Sequence, residues 1–400
     1  MKFKVFIIQS AMDICINLFN QYSEIRVRLT DCVVERLMAD RPIACLLSGG
    51  IDSSLVSAIA VKETRKLGIS SAPRTFCIGM GGSTDVEFAA KVAAHIGSVH
   101  SVVNFTPEEG LAAIPEVIFA IESYDITTVR ASVGQFLVSK FIAKNTDIKV
   151  VLIGDGSDEV TEGYLYFHNT PSASQGHAEA VRLIKEIHLY DGLRADRAIS
   201  YHGLEARVPY LDKKLVDFYL SLPAELRCPR ESPKLGIADR KVEKALLREA
   251  FADTDLLPEC VLKRTKEALS DGISSLRRSW YETVQEHVAH VIPDAEWDAY
   301  RADAAHSAER ALHAHNEPPS REALFYRFSF SFSFSFYYLL LSFFFFLFSF
   351  FFFLYYLLLS FSIFHLPSFN SVFTINYAPT TITTCLLDQL FSKLWYSSPQ

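Results

Sequence analysis

The run Ser48-Gly49-Gly50-Ile51-Asp52-Ser53-Ser54 constrains this chain more than any other feature. It lies between a short apolar stretch, Pro42 to Leu47, and a helix-like stretch, Leu55 to Leu67. A buried strand that turns through two glycines into a helix is a cradle for an anion. Glycine lets backbone amides approach anionic oxygens with no Cβ in the way. The helix N-terminus adds free N–H groups and partial positive charge. Ser48 and Ser53 offer hydroxyl donors. Asp52 would repel a phosphate unless a cation lay between them, which points to magnesium. The plain alternative is an ordinary strand-to-helix turn with Ser or Asp as the N-cap. The seven-residue string in this setting favours the anion site.

The surrounding pattern alternates strand and helix between about residues 23 and 176. Pro42 to Leu47, Arg74 to Met80, Val99 to Phe105 and Lys149 to Ile153 read as strands. Leu55 to Leu67, Val86 to Ile96, Glu108 to Ile121 and Ser132 to Lys144 read as helices. Such alternation predicts an α/β fold, a parallel twisted sheet with helices on both faces. Ligands of such sheets bind at the carboxyl ends of the strands. From His177 to Arg327 strand signals vanish, and Ala178 to Tyr190 and Lys241 to Phe251 read as helices. Residues 177–327 are therefore expected to form a helical layer beside the sheet.

A second constellation, Gly154-Asp155-Gly156-Ser157-Asp158-Glu159, follows the fourth strand. Acids this dense would be costly beside phosphate without a metal or cationic partners. Asp158 is accordingly a second candidate magnesium ligand after Asp52; alone, the segment could equally be an acidic surface loop. The first loop is not a Walker loop, because GxxxxGK[ST] is absent. Loops of its type grip the pyrophosphate that leaves when ATP is cleaved at its α-phosphate.

Composition sets further bounds. A net charge of -7 gives no basic footprint, so nucleic acid is not favoured as a partner. The seven cysteines form no CxxC pair and no zinc-spaced cluster, which suits a reducing compartment, the cytosol. Residues 1–22 are an unassigned N-terminal segment, too broken in hydropathy for a signal peptide. After Arg327 the chain changes character: no charge occurs from Phe328 to Phe364, and half of the chain's 32 Phe fall there. That length exceeds a bilayer span. Its Phe-Ser alternation lacks the packing residues and basic flanks of natural spans. Residues 328–400 read instead as translated pyrimidine-rich sequence, such as unspliced intron, and a membrane partner is not favoured.

The chain closely resembles the synthetase domain of the glutamine-dependent asparagine synthetase family, from about Arg28 to Arg327. The resemblance is carried by LLSGGIDSSLVSAIA (46–60), ESYDITTVRASVGQFLVSKFI (122–142) and GDGSDEVTEGYLYFHNTPS (154–172). It continues through LYDGLRADRAISYHGLEARVPYLDKK (189–214) and KRTKEALSDGI (263–273). The implied fold is of the adenine nucleotide α-hydrolase, or ATP-pyrophosphatase, type. The implied site has Ser48, Gly49, Gly50, Asp52 and Ser53 on ATP pyrophosphate, with magnesium on Asp52 and Asp158. Leu47 and Ile78 would flank adenine, and Ile153 and Gly154 would lie along the nucleotide. Arg130 would contact substrate and phosphate. Asp155 would serve in forming β-aspartyl-AMP and handling ammonia, networked with Asp191 and Lys266. The implied reaction joins aspartate to AMP and then exchanges AMP for ammonia, giving asparagine.

This sequence departs from the family pattern in three places. Ile153-Gly154-Asp155-Gly156 stands where the family has Ser-Gly-Glu-Gly, so the acid is one methylene shorter and a hydroxyl is lost. The glutaminase domain, with its cysteine nucleophile after the initiator Met, is expected to be absent, leaving ammonia or a separate glutaminase subunit as the nitrogen source. The tail replaces the family's C-terminal segment. A homodimer is left open. The competing readings are another adenylating amide ligase, such as a β-lactam synthetase relative, and an inactive or membrane-tethered fragment.

Overall fold

The computed structural model describes residues 20–69, 72–267, 272–274, 278–302 and 317–331, and residues 343, 347 and 350–352 beyond them. The readings made for residues 1–19 and for most of the Phe-rich tail lie outside the described residues. Five short strands form one sheet: β1 (Ile43–Leu46), β2 (Arg74–Gly79), β3 (His100–Asn104), β4 (Val150–Leu152) and β5 (Glu205–Arg207). All neighbours pair in parallel, in the order β3-β2-β1-β4-β5. Successive strand residues point to opposite faces. Cys45, Leu47, Val150 and Leu152 enter one core, and Ala44, Phe76, Val151 and Ile153 enter the other. A sheet buried on both faces needs apolar residues at every position, which explains unbroken runs such as Pro42 to Leu47.

The first core is closed by α1 (residues 20–35), α2 (Ile51–Lys66) and α3 (Thr84–Ile96). The second is closed by α4 (Pro107–Ile121), α5 (Ile126–Asn145) and, after the short α6 (Ser157–Thr161) and the longer α7 (Ala173–Glu186), by α8 (Asp191–Ser200). Helix starts follow local chemistry. Thr106 and Glu109 form a reciprocal capping box on α4, with Pro107 in its first turn. Asp125 caps α5 by accepting the Thr128 N–H. That cap starts α5 six residues before the expected Ser132. The β-branched run Ile126-Thr127-Thr128 has low helix propensity, so the helix there rests on its cap.

Several sequence expectations are corrected. The region 177–327 is not purely helical: Glu205–Arg207 is the fifth strand of the sheet, and Arg230–Ser232 pairs antiparallel with Ile237–Val242. Lys241 and Val242 are therefore strand, and the helix expected from Lys241 spans Ala245–Phe251. A three-residue edge strand offers too little periodicity to be seen in sequence. A boundary at 176/177 would cut α7. At the front, Tyr22 is buried and its hydroxyl donates to Glu249, so the fold begins before residue 23. At the far end, residues 321–331 are helical and the Phe330 ring lies edge-on to Tyr124 with centroids 5.1 Å apart, so the first tail residues belong to the core. The chain divides into Met1–Phe336 and Tyr337–Gln400. In the second unit the described residues are helical. Among the described residues no helix is long and apolar enough to cross a membrane.

Candidate active site

Strand order reverses between β1 and β4: the chain runs outward from β1 to β3, then returns to β4 on the other side. Open α/β sheets bind ligands in the crevice at such a switch point. The two glycine-acid loops leave β1 and β4 and face each other across it, lining a cleft of about 680 Å³. Gly49 makes the turn at φ 75°, and a Cβ there would lie 2.5 Å from Phe88 Cβ and from the Ala89 nitrogen. Gly154 packs against the start of α2, where a Cβ would come within 2.8 Å of the Ser53 nitrogen. The Ser53 hydroxyl accepts the Ser48 N–H at 3.1 Å, and the two hydroxyls lie 2.9 Å apart, which closes the loop on itself.

Asp52 and Asp158 converge on a single cation, the ammonium of Lys244. Its Nζ lies 2.5 Å from Asp52 Oδ2 and 2.6 Å from Asp158 Oδ1. The remaining oxygens are also engaged: Ser157 Oγ donates to Asp52 Oδ1 at 2.7 Å, and Lys266 Nζ lies 2.8 Å from Asp158 Oδ2. Lys244 is completely buried. Burial alone would raise the Asp158 carboxyl, but the two lysines outweigh it and hold the group well below the usual carboxylate range. Lys266 is shifted up: burial opposes its charge, and the Asp158 and Asp52 carboxylates more than compensate. Lys244 was missed in sequence, because nothing local marks one lysine in Val-Glu-Lys-Ala as buried.

A second network lines the neighbouring wall. Arg194, buried on α8, donates from Nη2 to Asp155 Oδ1 at 2.7 Å and to Asp191 Oδ1 at 2.6 Å, and from Nη1 to Gln135 Oε1 at 2.8 Å. The Tyr164 hydroxyl donates to Glu159 Oε1 at 2.7 Å and lies 3.1 Å from Asp191 Oδ2. Burial pushes the Glu159 carboxyl up to about 8, helped by the charges of Asp191 and Asp158. Asp155 is also raised, by burial first and then by Asp191, against the pull of Arg194. Asp191 stands at the start of α8 and lines the cleft.

The expected nucleotide-side residues Leu47, Ser48, Gly50, Asp52, Ser53, Ile78, Ile153 and Gly154 line this one cleft, as do Asp155, Asp158, Asp191 and Lys266. Gly49 shapes the turn from behind, against α3. Arg130 is the exception. Its Nε lies 2.9 Å from the buried Glu322 carboxylate and its guanidinium sits over the Tyr281 ring, so it faces the C-terminal helix and not the cleft. A buried carboxylate needs a cationic partner, and Arg130 is the cation in reach. Arg264, also unforeseen, donates to the Ser48 carbonyl at 3.3 Å and to Asp85 Oδ1 at 2.8 Å, bracing the cradle from the segment that carries Lys266.

A five-stranded parallel sheet, a glycine-turned anion cradle and two converging carboxylates at the switch point define an α/β nucleotide-binding protein of the ATP-pyrophosphatase loop type. Comparison with known proteins narrows the class. A family model described as asparagine synthase matches residues 24–183 and 170–326, and the chain belongs to that family. It is 48% identical over 305 residues to asparagine synthetase (glutamine-hydrolyzing) of Gallus gallus, covering 76% of this chain and 51% of that protein. The Homo sapiens protein of the same name matches with the same identity and coverage. The chain thus spans about half the length of the curated relatives it matches. Among solved structures, NAD+ synthetase from Burkholderia pseudomallei aligns over 50% of this chain and 86% of that one, at 15% identity and a TM-score of 0.26, too slight a likeness to argue from.

Proposed function

We propose that this chain activates the side-chain carboxylate of aspartate with ATP and transfers the acyl group to ammonia, forming asparagine, AMP and pyrophosphate. The observation that carries this reading is the meeting of Asp52 and Asp158 on one buried cation, beside the Ser48–Ser53 cradle. Each carboxylate oxygen of the pair keeps a second lone pair beyond its contact with Lys244, Lys266 or Ser157, and magnesium binds through one or two carboxylates with phosphate and water as its other ligands. Asp52 and Asp158 would hold it, and it would neutralise charge on the triphosphate.

The protein's own groups suit both steps. Cradle amides and the α2 N-terminus orient the triphosphate, and Lys244 and Lys266 offset the charge that gathers on departing pyrophosphate. The aspartate carboxylate oxygen attacks the α-phosphorus as the bond to pyrophosphate breaks. Ammonia then attacks the acyl carbon as its bond to the AMP oxygen breaks and AMP leaves, and the proton that ammonia loses needs an anionic acceptor at the wall formed by Asp155 and Asp191. Arg194 holds those two carboxylates side by side. Nitrogen comes as ammonia, free or supplied by a glutaminase domain or subunit. The cytosol, where ATP and aspartate are available, is the matching compartment.

The test supplies the full chain with ATP, magnesium, aspartate and ammonium, and follows pyrophosphate, AMP and asparagine. Equal yields of the three are expected, abolished by Asp52→Asn. ADP as product, or pyrophosphate release that ignores aspartate, would sink the proposal. Formation of a different amide from an added amino acid would point to another ligase of this fold.

A further inference from the structure

Lys244 and Lys266 belong to separate segments, yet both close on the carboxylate of Asp158. A lysine ammonium on a flexible four-carbon stem has no fixed direction of its own, so its backbone must be held. Glu243 stands where the two segments meet, and its side chain is fully buried. Its Oε1 accepts the Lys266 main-chain N–H at 2.9 Å and the Arg248 Nη2 at 2.6 Å. Arg248, equally buried, donates from Nε to the Glu243 carbonyl and from Nη1 to the Leu262 carbonyl, each at 2.9 Å. The Glu243–Arg248 pair therefore pins main chain at 243, beside Lys244, and at 262 and 266, around Lys266.

Two further observations agree. Lys244 holds a left-handed conformation at φ 58°, which a side chain other than glycine keeps only where its neighbours over-determine it. The second oxygen of Glu243 faces His168 Nε2 at 3.8 Å, so the same carboxyl also meets the short helix Leu165–Asn169. We infer that Glu243 is a positioning residue, which sets Lys244 and Lys266 as one cationic clamp over the cleft. It acts through the Lys266 main chain and through Arg248. The inference rests on the proposed function only for what the clamp grips.

The experiment is competitive acetylation with acetic anhydride, read lysine by lysine by mass spectrometry, alongside aspartate-dependent pyrophosphate release. It uses the full chain as wild type, E243Q, E243A, K266A and E243A/K266A. In E243A, Lys266 should label about fivefold faster, as a locally opened group does, while exposed Lys91 and Lys214 keep their rates. E243Q should fall between, because an amide oxygen still accepts the Lys266 N–H. Turnover should drop about thirtyfold in E243A, with the double variant no worse than K266A, the coupling expected of groups that act as a unit. An unchanged Lys266 rate in both E243A and E243Q overturns the inference, as does a rise at every lysine alike. If E243A does not fold, E243Q decides by the same Lys266 comparison. Should wild type release no pyrophosphate while the labelling pattern holds, the proposed function fails and the role of Glu243 stands.

Discussion

Asp155 and Lys244 show how much chemistry here depends on single side chains. Asp155 is one methylene shorter than the Glu of the family pattern, and it meets Arg194 at 2.7 Å with its carboxyl raised by burial. Asp155→Glu should increase aspartate-dependent turnover about tenfold with the ATP KM unchanged, since ångström-scale placement of a reacting group is worth that much or more. Steady-state kinetics check it, and a rate that does not rise would show that reach is not limiting. Lys244 bridges two partly buried carboxylates, so Lys244→Met leaves like charges facing each other. Without metal, the cost should be about 3–5 kcal/mol in urea unfolding. Added magnesium should restore part of that loss if Asp52 and Asp158 form a metal site, and no magnesium effect would count against one.

At the scale of elements, the cleft is built from segments far apart in sequence. The loop after β1, the start of α3 and the stretch 263–267 are joined by Arg264, which reaches Ser48, Asp85 and Glu267. Asp85 is buried, and burial pushes its carboxyl up to about 6 although Arg264 opposes the shift. The unfolded chain gives up this proton near pH 3.9, so between about pH 4 and 6 only the folded state keeps it. The stability it contributes is full below that window and lost as pH rises through 6. Asp85→Asn should remove this decline, whose slope is at most about 1.4 kcal/mol per pH unit. Unfolding free energies measured from pH 4 to 7 test it; a slope equal to that of wild type would assign the decline to other groups.

Across the whole molecule, Arg130 ties distant segments together. It joins α5 to the helical residues 321–331 through Glu322, which also accepts from Gln285. Arg130→Ala should lower stability by about 3 kcal/mol, because a buried carboxylate loses its cation, and should leave the KM values for ATP and aspartate within twofold. Glu322→Gln in the same chain should recover much of that stability. A thermal midpoint that stays put while the aspartate KM climbs would return Arg130 to the cleft.

The sequence by itself determined the parallel α/β architecture, both glycine-acid loops and most cleft residues, because these depend on local causes. Continuous apolar runs mark strands buried on two faces, and Gly49 and Gly154 leave no space for a side chain. Only the tertiary structure decided the rest. Whether Arg130 faced substrate or Glu322 depended on a partner nearly two hundred residues away. The three-residue edge strand β5 exists through its pairing with β4, which no local period records. Lys244 is an ordinary lysine in sequence, and it becomes the hub of the site because the fold buries it between the carboxylates of Asp52 and Asp158, whose two negative charges it offsets.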